Sequence, residues 1–168
     1  MKSSARVVVI GGGVVGASVL YHLTKAGWTD VVLVERKQLT AGSTWHAAGG
    51  MHTLNGDPNV ARLQQYTVNL YKEIEKESGQ NCGIHLPGGL MLADTPERLD
   101  FLRMAQARGR YLGMHMEMLS MKEAKALNPL LEEKYFVGAL YDEDEGSVDP
   151  YGVTHAYAIC AKNRGAEV

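Results

Sequence analysis

Cysteine is scarce in this chain, which has only Cys82 and Cys160 among its 168 residues. The two positions are too far apart in sequence to form a Cys-x-x-Cys redox pair. They are also too few for a zinc knuckle or a disulfide framework. We therefore expect two free thiols in a reducing compartment.

Strong charge and long apolar runs are also missing. The formal net charge is −2, so the composition provides no basic surface for nucleic acid or for an anionic membrane. No run of about 18 apolar residues is present, and no signal or transit segment precedes the first apolar stretch. These absences predict a cytoplasmic protein, or one of the mitochondrial matrix if the source is eukaryotic, with no nucleic-acid or membrane partner.

Two clusters of potential metal ligands have simpler explanations. The methionines and histidine of Met114–Leu119 are compatible with a copper site, but methionines that alternate along a strand are more commonly core residues that fill gaps. The four acids Asp142–Glu145 precede Gly146 and are typical of a solvated turn. We therefore predict no metal site.

The first informative stretch is an apolar run followed by glycines. Val7–Ile10 are four β-branched residues, as in a strand buried on both faces of a parallel sheet. The spacing Gly-x-Gly-x-x-Gly follows, at Gly11, Gly13 and Gly16. In dinucleotide-binding folds these glycines permit a tight turn, a close approach of the backbone to a pyrophosphate and tight packing of the next helix.

The sequence after the glycines supports a dinucleotide site. A helix is predicted over 17–26, and Gly27 is placed to end it. A second strand, Val31–Val34, leads to Glu35, where a carboxylate would accept hydrogen bonds from ribose hydroxyls. Arg36 suits the 2′-phosphate of NADP, but the adjacent carboxylate would repel that phosphate.

A second stretch of small residues, Ala41–Gly50, argues against a nicotinamide dinucleotide. A nicotinamide-binding unit would usually continue into another helix and strand. Here glycines, alanines and hydroxyl side chains would instead allow backbone amides to approach an extended cofactor. His46 lies within this stretch, and a neutral imidazole is a competent nucleophile.

These motifs resemble the FAD-dependent amine-oxidising family that includes D-amino acid oxidase, and more narrowly its dimethylglycine dehydrogenase and sarcosine dehydrogenase branch. The most specific match is Ser-Thr-Trp-His-Ala-Ala-Gly at 43–49. The similarity continues through Leu86–Leu90, Asn128-Pro129 and Gly146–Pro150. The resemblance implies an α/β, Rossmann-like FAD-binding fold with a parallel sheet and the beginning of a β-rich substrate subdomain, in a chain that we expect to be incomplete.

The resemblance also implies how the cofactor is bound. His46 would be joined covalently to the 8α-methyl carbon of the flavin. The implied FAD contacts lie in the glycine loop, at the ribose and along the second stretch. They are Gly11, Gly13, Val14, Val15, Gly16, Glu35, Arg36, Ser43, Thr44, Trp45, His46 and Gly50. No catalytic acid or base is assigned.

The reaction implied by this resemblance is oxidative N-demethylation of a secondary or tertiary amino acid such as dimethylglycine or sarcosine. A hydride would pass from the N-methyl carbon to the flavin. The resulting iminium would be hydrolysed to formaldehyde or trapped by tetrahydrofolate bound in a downstream domain. Oxygen or a partner flavoprotein would accept the electrons. Two alternatives stay open: a flavoenzyme of the same fold that oxidises another amine or a hydroxy substrate, and a non-catalytic fragment or regulatory paralogue.

We expect the rest of the chain to be mainly structural. Residues 1–168 would form the N-terminal portion of one oxidoreductase domain: an FAD-binding core (1–56), helices and substrate-subdomain strands (57–148) and a return to the FAD-binding sheet (149–168). The predicted helices are an amphipathic helix Asp57–Ser78, with Val60, Leu63, Leu70 and Ile74 facing the core, a helix capped by Thr95, and a helix Tyr151–Arg164 capped by Asp149. A capping box at Ser120–Glu123 is also predicted. The predicted strands are two around Pro-Gly-Gly in 84–93, Met114–Leu119, Phe136–Tyr141 and the start of a strand in 165–168.

Overall fold

A computed structural model describes residues 3–168 as two compact units. The first unit contains the residues up to Gly50, Asn69–His85 and Ser147–Val168. The second contains Met51–Val68 and Leu86–Gly146. The assignment of these regions to cofactor and substrate subdomains stays a prediction.

The first unit is built on a parallel strand pair. Strand β1 (Val7–Ile10) pairs with β2 (Val31–Val34), and their register begins with Val7 opposite Val31. Helix α1 (Val14–Lys25) connects them and starts three residues earlier than predicted. Gly27 follows it with a positive φ of 89°, as expected of a residue that ends a helix. Near the end of the chain, where the sequence predicted the start of another strand, Glu167 forms an isolated parallel bridge with Val32.

Two helices complete the core of the first unit. Helix α2 (Pro58–Ser78) contributes its second half here, and α5 (Pro150–Asn163) packs against α1. The Asp149 side chain caps α5 by accepting hydrogen bonds from the amides of Tyr151 and Gly152, which confirms its predicted role. The buried core consists of Ala17, Leu20, Tyr21, Val31, Leu33, Leu70, Ile74, Cys82, Val153, Ala156, Tyr157, Cys160, Ala161 and Ala166.

The prediction that β1 is buried on both faces is wrong for the described chain. Val7 and Val9 pack into the core, whereas Val8 and Ile10 are 51% and 86% exposed. Val34 of β2 is exposed as well. Successive side chains of a strand point to opposite faces. One face of this strand pair therefore lies against the described core, and the other carries exposed valine and isoleucine side chains.

The second unit is built on an antiparallel sheet with the order β4-β6-β5. Its strands are β4 (Gly89–Ala93), β5 (Met116–Leu119) and β6 (Gly138–Asp142). Helix α3 (Pro96–Tyr111), capped by Thr95, packs on this sheet, and α4 (Met121–Leu127) begins with the predicted Ser120–Glu123 capping box. Buried residues shared by the sheet and helices form its core: Ala61, Ala93, Leu102, Ala105, Met114, Met116, Ala124, Leu131, Ala139 and Leu140.

Two further expectations need correction. Segment 84–93 contains one strand, β4, while His85 instead forms an isolated bridge with Ser147. Val60 and Leu63 of α2 are exposed, although Leu70 and Ile74 are buried as predicted. Two-residue strands β3 (Gly50–Met51) and β7 (Gly146–Ser147) occur where the chain passes from one unit to the other. None of the described helices is both long enough and apolar enough to cross a membrane.

Candidate functional site: two apposed small-residue loops

The glycine loop joins the end of β1 to the start of α1. Gly11 has a φ of 107°, a conformation in which a Cβ would be strained. A Cβ on Gly16 would lie 2.0 Å from the carbonyl oxygen of Gly11, so only glycine allows the helix to approach the strand this closely. Gly13 precedes the first helical residue. The loop therefore has the geometry that the Gly-x-Gly-x-x-Gly spacing predicts.

The start of α1 presents backbone N–H groups with no acceptor inside the helix. The amide of Val14 donates to the Thr44 hydroxyl at 3.0 Å, and the amides of Val15 and Gly16 belong to the same first turn. This turn contains no acidic side chain. It therefore combines free N–H groups with the positive end of the helix dipole, which favours an anion such as a pyrophosphate.

Glu35 follows β2 and is held against the glycine loop. Its Oε2 accepts a hydrogen bond from the amide of Gly12 at 2.7 Å, and its Oε1 accepts one from the amide of Lys37 at 2.9 Å. These bonds, with that from Gly12 the largest contribution, lower the pKa of Glu35 from its usual value. The side chain is thus a fixed carboxylate at neutral pH. It is a suitable acceptor for ribose hydroxyls, and its charge disfavours a 2′-phosphate beside Arg36.

The second small-residue stretch folds back onto the glycine loop. Ser43–His46 form a short 3-10 helix, which the sequence did not predict. The Thr44 side chain is buried there and binds the amide of Val14. At the other end of the stretch, the amide of Val148 donates to the carbonyl of Gly49 at 2.9 Å. The two stretches therefore lie side by side within one unit.

Thr40 and Gly12 also connect the two loops, and neither was singled out from the sequence. The Thr40 amide donates to the Gly12 carbonyl at 2.9 Å, and the Thr40 carbonyl accepts the Trp45 amide at 3.2 Å. Thr40 is buried and has a φ of 71°, which is unusual for a residue with a branched side chain. The triple glycine gave a signal for Gly12, but no local pattern in the sequence indicates the conformation of Thr40.

The side chains that flank Thr44 are accessible. Ser43 and His46 are exposed, and Trp45 is 66% exposed. The Trp45 indole meets the Tyr151 ring edge-on, with 6.4 Å between centroids. These two rings help to line a cavity of about 460 Å³ that also borders Lys37 and Thr40. Trp45 is therefore oriented towards α5, while the His46 imidazole makes no hydrogen bond or ion pair within residues 3–168.

The remaining predicted contacts lie around this centre. Val15 is exposed on the first turn of α1, Arg36 is exposed after β2, and Gly50 is exposed at the start of β3. The structure thus brings Gly11, Gly13, Val14, Val15, Gly16, Glu35, Ser43 and Thr44 to the two apposed loops. Their contacts with a cofactor stay a prediction.

The predicted acidic turn in the second unit is partly wrong. Asp142 is buried, and its carboxylate accepts a short hydrogen bond from the buried Thr53 hydroxyl. Glu145 has only 15% of its side chain exposed and pairs with Nδ1 of His52 at 3.1 Å. Only Glu143 remains exposed, while Asp144 is half-buried. Long-range partners explain the difference, because Thr53 and His52 lie about 90 residues away in sequence.

Cys82 and Cys160 are buried and form no disulfide, as predicted for free thiols. Burial, assisted by nearby Glu75, raises the pKa of Cys82 to about 12. Burial also raises the pKa of Cys160 to about 11, with a further contribution from Glu77. Within the described residues, no group of His, Cys, Asp and Glu side chains has the geometry of a metal site.

The fold and the paired loops define a flavoprotein of known type. The model of the FAD dependent oxidoreductase family (DAO) matches residues 6–168, and the chain belongs to this family. The structure of L-proline dehydrogenase from P. horikoshii superposes with a TM-score of 0.91 at 28% identity. That alignment covers 99% of this chain and 44% of the other.

Curated relatives narrow the comparison. Mitochondrial dimethylglycine dehydrogenase of Rattus norvegicus is 40% identical over 98% of this chain, and mitochondrial sarcosine dehydrogenase of Homo sapiens is 39% identical over 100%. The mitochondrial pyruvate dehydrogenase phosphatase regulatory subunit of Mus musculus is 36% identical over 100% of this chain. The chain spans only 19%, 18% and 19% of these three relatives, respectively.

Proposed function

We propose that this chain is the cofactor-binding part of an enzyme that oxidises the N-methyl group of a secondary or tertiary amino acid. The observation that carries the proposal is the pairing of the two loops through the Val14–Thr44 and Gly12–Thr40 hydrogen bonds. His46 lies two residues after Thr44 in the same short 3-10 helix and is exposed. Relatives named as dimethylglycine and sarcosine dehydrogenases support the substrate class.

FAD fits the residues that are present. The first-turn amides of α1 would hold the pyrophosphate, and the carboxylate of Glu35 would accept the ribose hydroxyls. The stretch from Ser43 to Gly50, which is exposed except at Thr44 and in part at Gly49, would lie along the flavin. Gly16 is essential to this arrangement, because any side chain there would push α1 away from the strand.

In this proposal, His46 is the point of covalent attachment to the 8α-methyl carbon of the flavin. Its imidazole is exposed and has no competing partner among residues 3–168. Thr44, two residues earlier, is buried and fixed by the Val14 amide, so the backbone that bears His46 is held in place. When bound, FAD would accept the hydride that leaves the N-methyl carbon.

Anaerobic reduction of the purified full-length gene product tests the substrate. Dimethylglycine and sarcosine should bleach the visible flavin absorbance. Proline and glycerol 3-phosphate represent substrates of related proteins of this fold. At equal concentration they should bleach the flavin at least about tenfold more slowly, because pocket contacts discriminate substrates by a few kcal/mol. Reduction by glycerol 3-phosphate or proline alone would contradict the N-methyl assignment while leaving FAD binding intact.

The proposal includes the fate of the electrons and of the one-carbon unit. Oxygen or a partner flavoprotein would reoxidise the flavin, and formaldehyde would be released unless tetrahydrofolate, bound by a region outside these 168 residues, traps it. Oxygen uptake measured with and without an electron-accepting dye distinguishes the two acceptors. Formaldehyde yield measured with and without tetrahydrofolate tests the trap, which should lower that yield.

A second candidate is a regulatory subunit that keeps the fold without turnover. The similarity to the mouse phosphatase regulatory subunit favours it. The same anaerobic experiment separates the two candidates: a regulatory protein would show no bleaching with any amine or hydroxy donor, although dithionite would still reduce any flavin that it holds.

A further inference from the structure

The second unit contains a cavity whose lining includes no residue of the paired loops described above. Its volume is about 560 Å³, which is within the range of small-molecule sites. The wall is mainly apolar and includes Leu54, Met91, Phe101 and Met104. Phe101 and Met104 on α3 are 51% and 63% exposed, so they present apolar surface to the cavity.

One wall of the cavity is anchored by buried polar contacts. The Thr53 hydroxyl binds the Asp142 carboxylate at the end of β6, and both residues are buried. This bond fixes the segment that carries His52 and Leu54, which both line the cavity. The wall is therefore held by the sheet rather than being a free loop.

A carboxylate is built into the same wall. Glu145 binds Nδ1 of His52 at 3.1 Å, and its side chain lies directly over Gly89 at the start of β4. A Cβ on Gly89 would be 2.0 Å from Oε2 of Glu145, so this glycine leaves the space that the carboxylate occupies. One oxygen of the Glu145 carboxylate is thereby already in contact with an imidazole, which is itself 67% exposed.

The cation of the cavity, Arg108, is not paired. Arg108 lies on α3, is exposed and lines the cavity, with Nη1 within 3.7 Å of where a Cβ on Gly56 would be. The structure places no acceptor for its guanidinium within residues 3–168, in contrast to Arg103 on the same helix, which binds Asp100 at 2.6 Å. A guanidinium next to an apolar wall is suited to a ligand that joins a carboxylate to an apolar body.

We propose that this cavity is a binding site for a small organic carboxylate with an apolar body. The ligand carboxylate pairs with Arg108, its apolar body lies against Phe101, Met104 and Leu54, and the exposed imidazole of His52 borders the polar end. The site goes beyond the proposed flavin chemistry, and every residue involved lies in the second unit.

Calorimetric titration of the full-length protein with 3-phenylpropanoate tests the site, with 3-phenylpropanamide as the uncharged comparison. The acid should bind at least about tenfold more tightly than the amide, because a charge-assisted pair with a guanidinium is worth more than a neutral contact. Arg108→Gln should remove that difference. Arg110→Gln, on the same helix but outside the cavity lining, should leave it unchanged.

A second variant tests the apolar wall. Phe101→Ala should weaken the acid and the amide by a similar factor, because both probes share the phenyl group. Equal affinity of acid and amide for the unmodified protein would overturn the proposal. So would unchanged acid binding by Arg108→Gln, or no binding of either probe. Flavin content, measured in parallel by absorbance, should be the same in all variants, so failure here is distinct from failure of the proposed enzymatic function.

Discussion

Replacing Gly16 with alanine tests whether the approach of α1 to β1 is as close as the structure shows. The new Cβ would be 2.0 Å from the Gly11 carbonyl oxygen. A carbon–oxygen contact of about 3.3 Å is near the lower limit of ordinary packing, so strand and helix would have to separate by roughly 1 Å. Both groups belong to backbone at the ends of regular elements, and neither can rotate away as a flexible side chain would.

Overpacking of this kind typically costs about 1–3 kcal/mol, and we expect about 3 kcal/mol for Gly16→Ala because backbone must move. The displacement also shifts the first-turn amides, so the purified variant should retain less FAD. Denaturant unfolding followed by circular dichroism measures the first effect, and the flavin-to-protein absorbance ratio measures the second.

Gly56→Ala is the matched control for this experiment. A Cβ on Gly56 would meet only Arg108, at an ordinary 3.7 Å, and Gly56 has no positive φ. Its free energy of unfolding should change by less than about 1 kcal/mol, with a small gain from the stiffer unfolded chain. If Gly16→Ala is as stable as this control and binds FAD normally, the close strand–helix approach is refuted.

Two further predictions concern titratable groups whose pKa is shifted by burial or partial burial. Cys82 and Cys160 should resist a thiol-labelling reagent at about pH 8 in the folded protein and react at once in denaturant. The reason is that burial raises their pKa values to about 12 and about 11. Fast labelling of the folded protein would contradict this prediction. Burial lowers the pKa of His155, so the unfolded chain binds its proton more readily and stability should fall as the pH drops below about 6.5. Thermal melts at about pH 7.5 and about pH 5.5 should therefore show a smaller drop in melting temperature for His155→Gln than for the unmodified protein. Equal drops would contradict a lowered pKa of His155 in the folded protein.

The conformation of the glycine loop could be predicted because its determinants are local. The spacing of Gly11, Gly13 and Gly16 fixes a turn and a close helix packing, and both depend on residues within a few positions of one another. Glu35 was placed correctly because it ends the next strand of the same unit. The caps at Thr95, Ser120 and Asp149 were also correct for this reason.

Features that depend on distant partners could not be predicted in the same way. The composition of β1 indicated burial on both faces, but the exposure of Val8 and Ile10 depends on which elements cover the strand. Four consecutive acids suggested a solvated turn, yet Thr53 and His52 bind two of them from about 90 residues away. Thr40 connects the two loops through its hydrogen bond to Gly12, and its backbone has a left-handed conformation. The sequence around Thr40 does not indicate this conformation.

Acid denaturation of the purified full-length protein, followed by peptide mass mapping, tests the central proposal most directly. The account predicts that flavin remains with the denatured polypeptide and that the mass of FAD maps to the peptide containing His46. His46→Ala should release any bound flavin under the same treatment, whereas His52→Ala should retain it. Colour that stays with the His46→Ala polypeptide, or an adduct on another residue, would contradict the assignment of His46 as the attachment point.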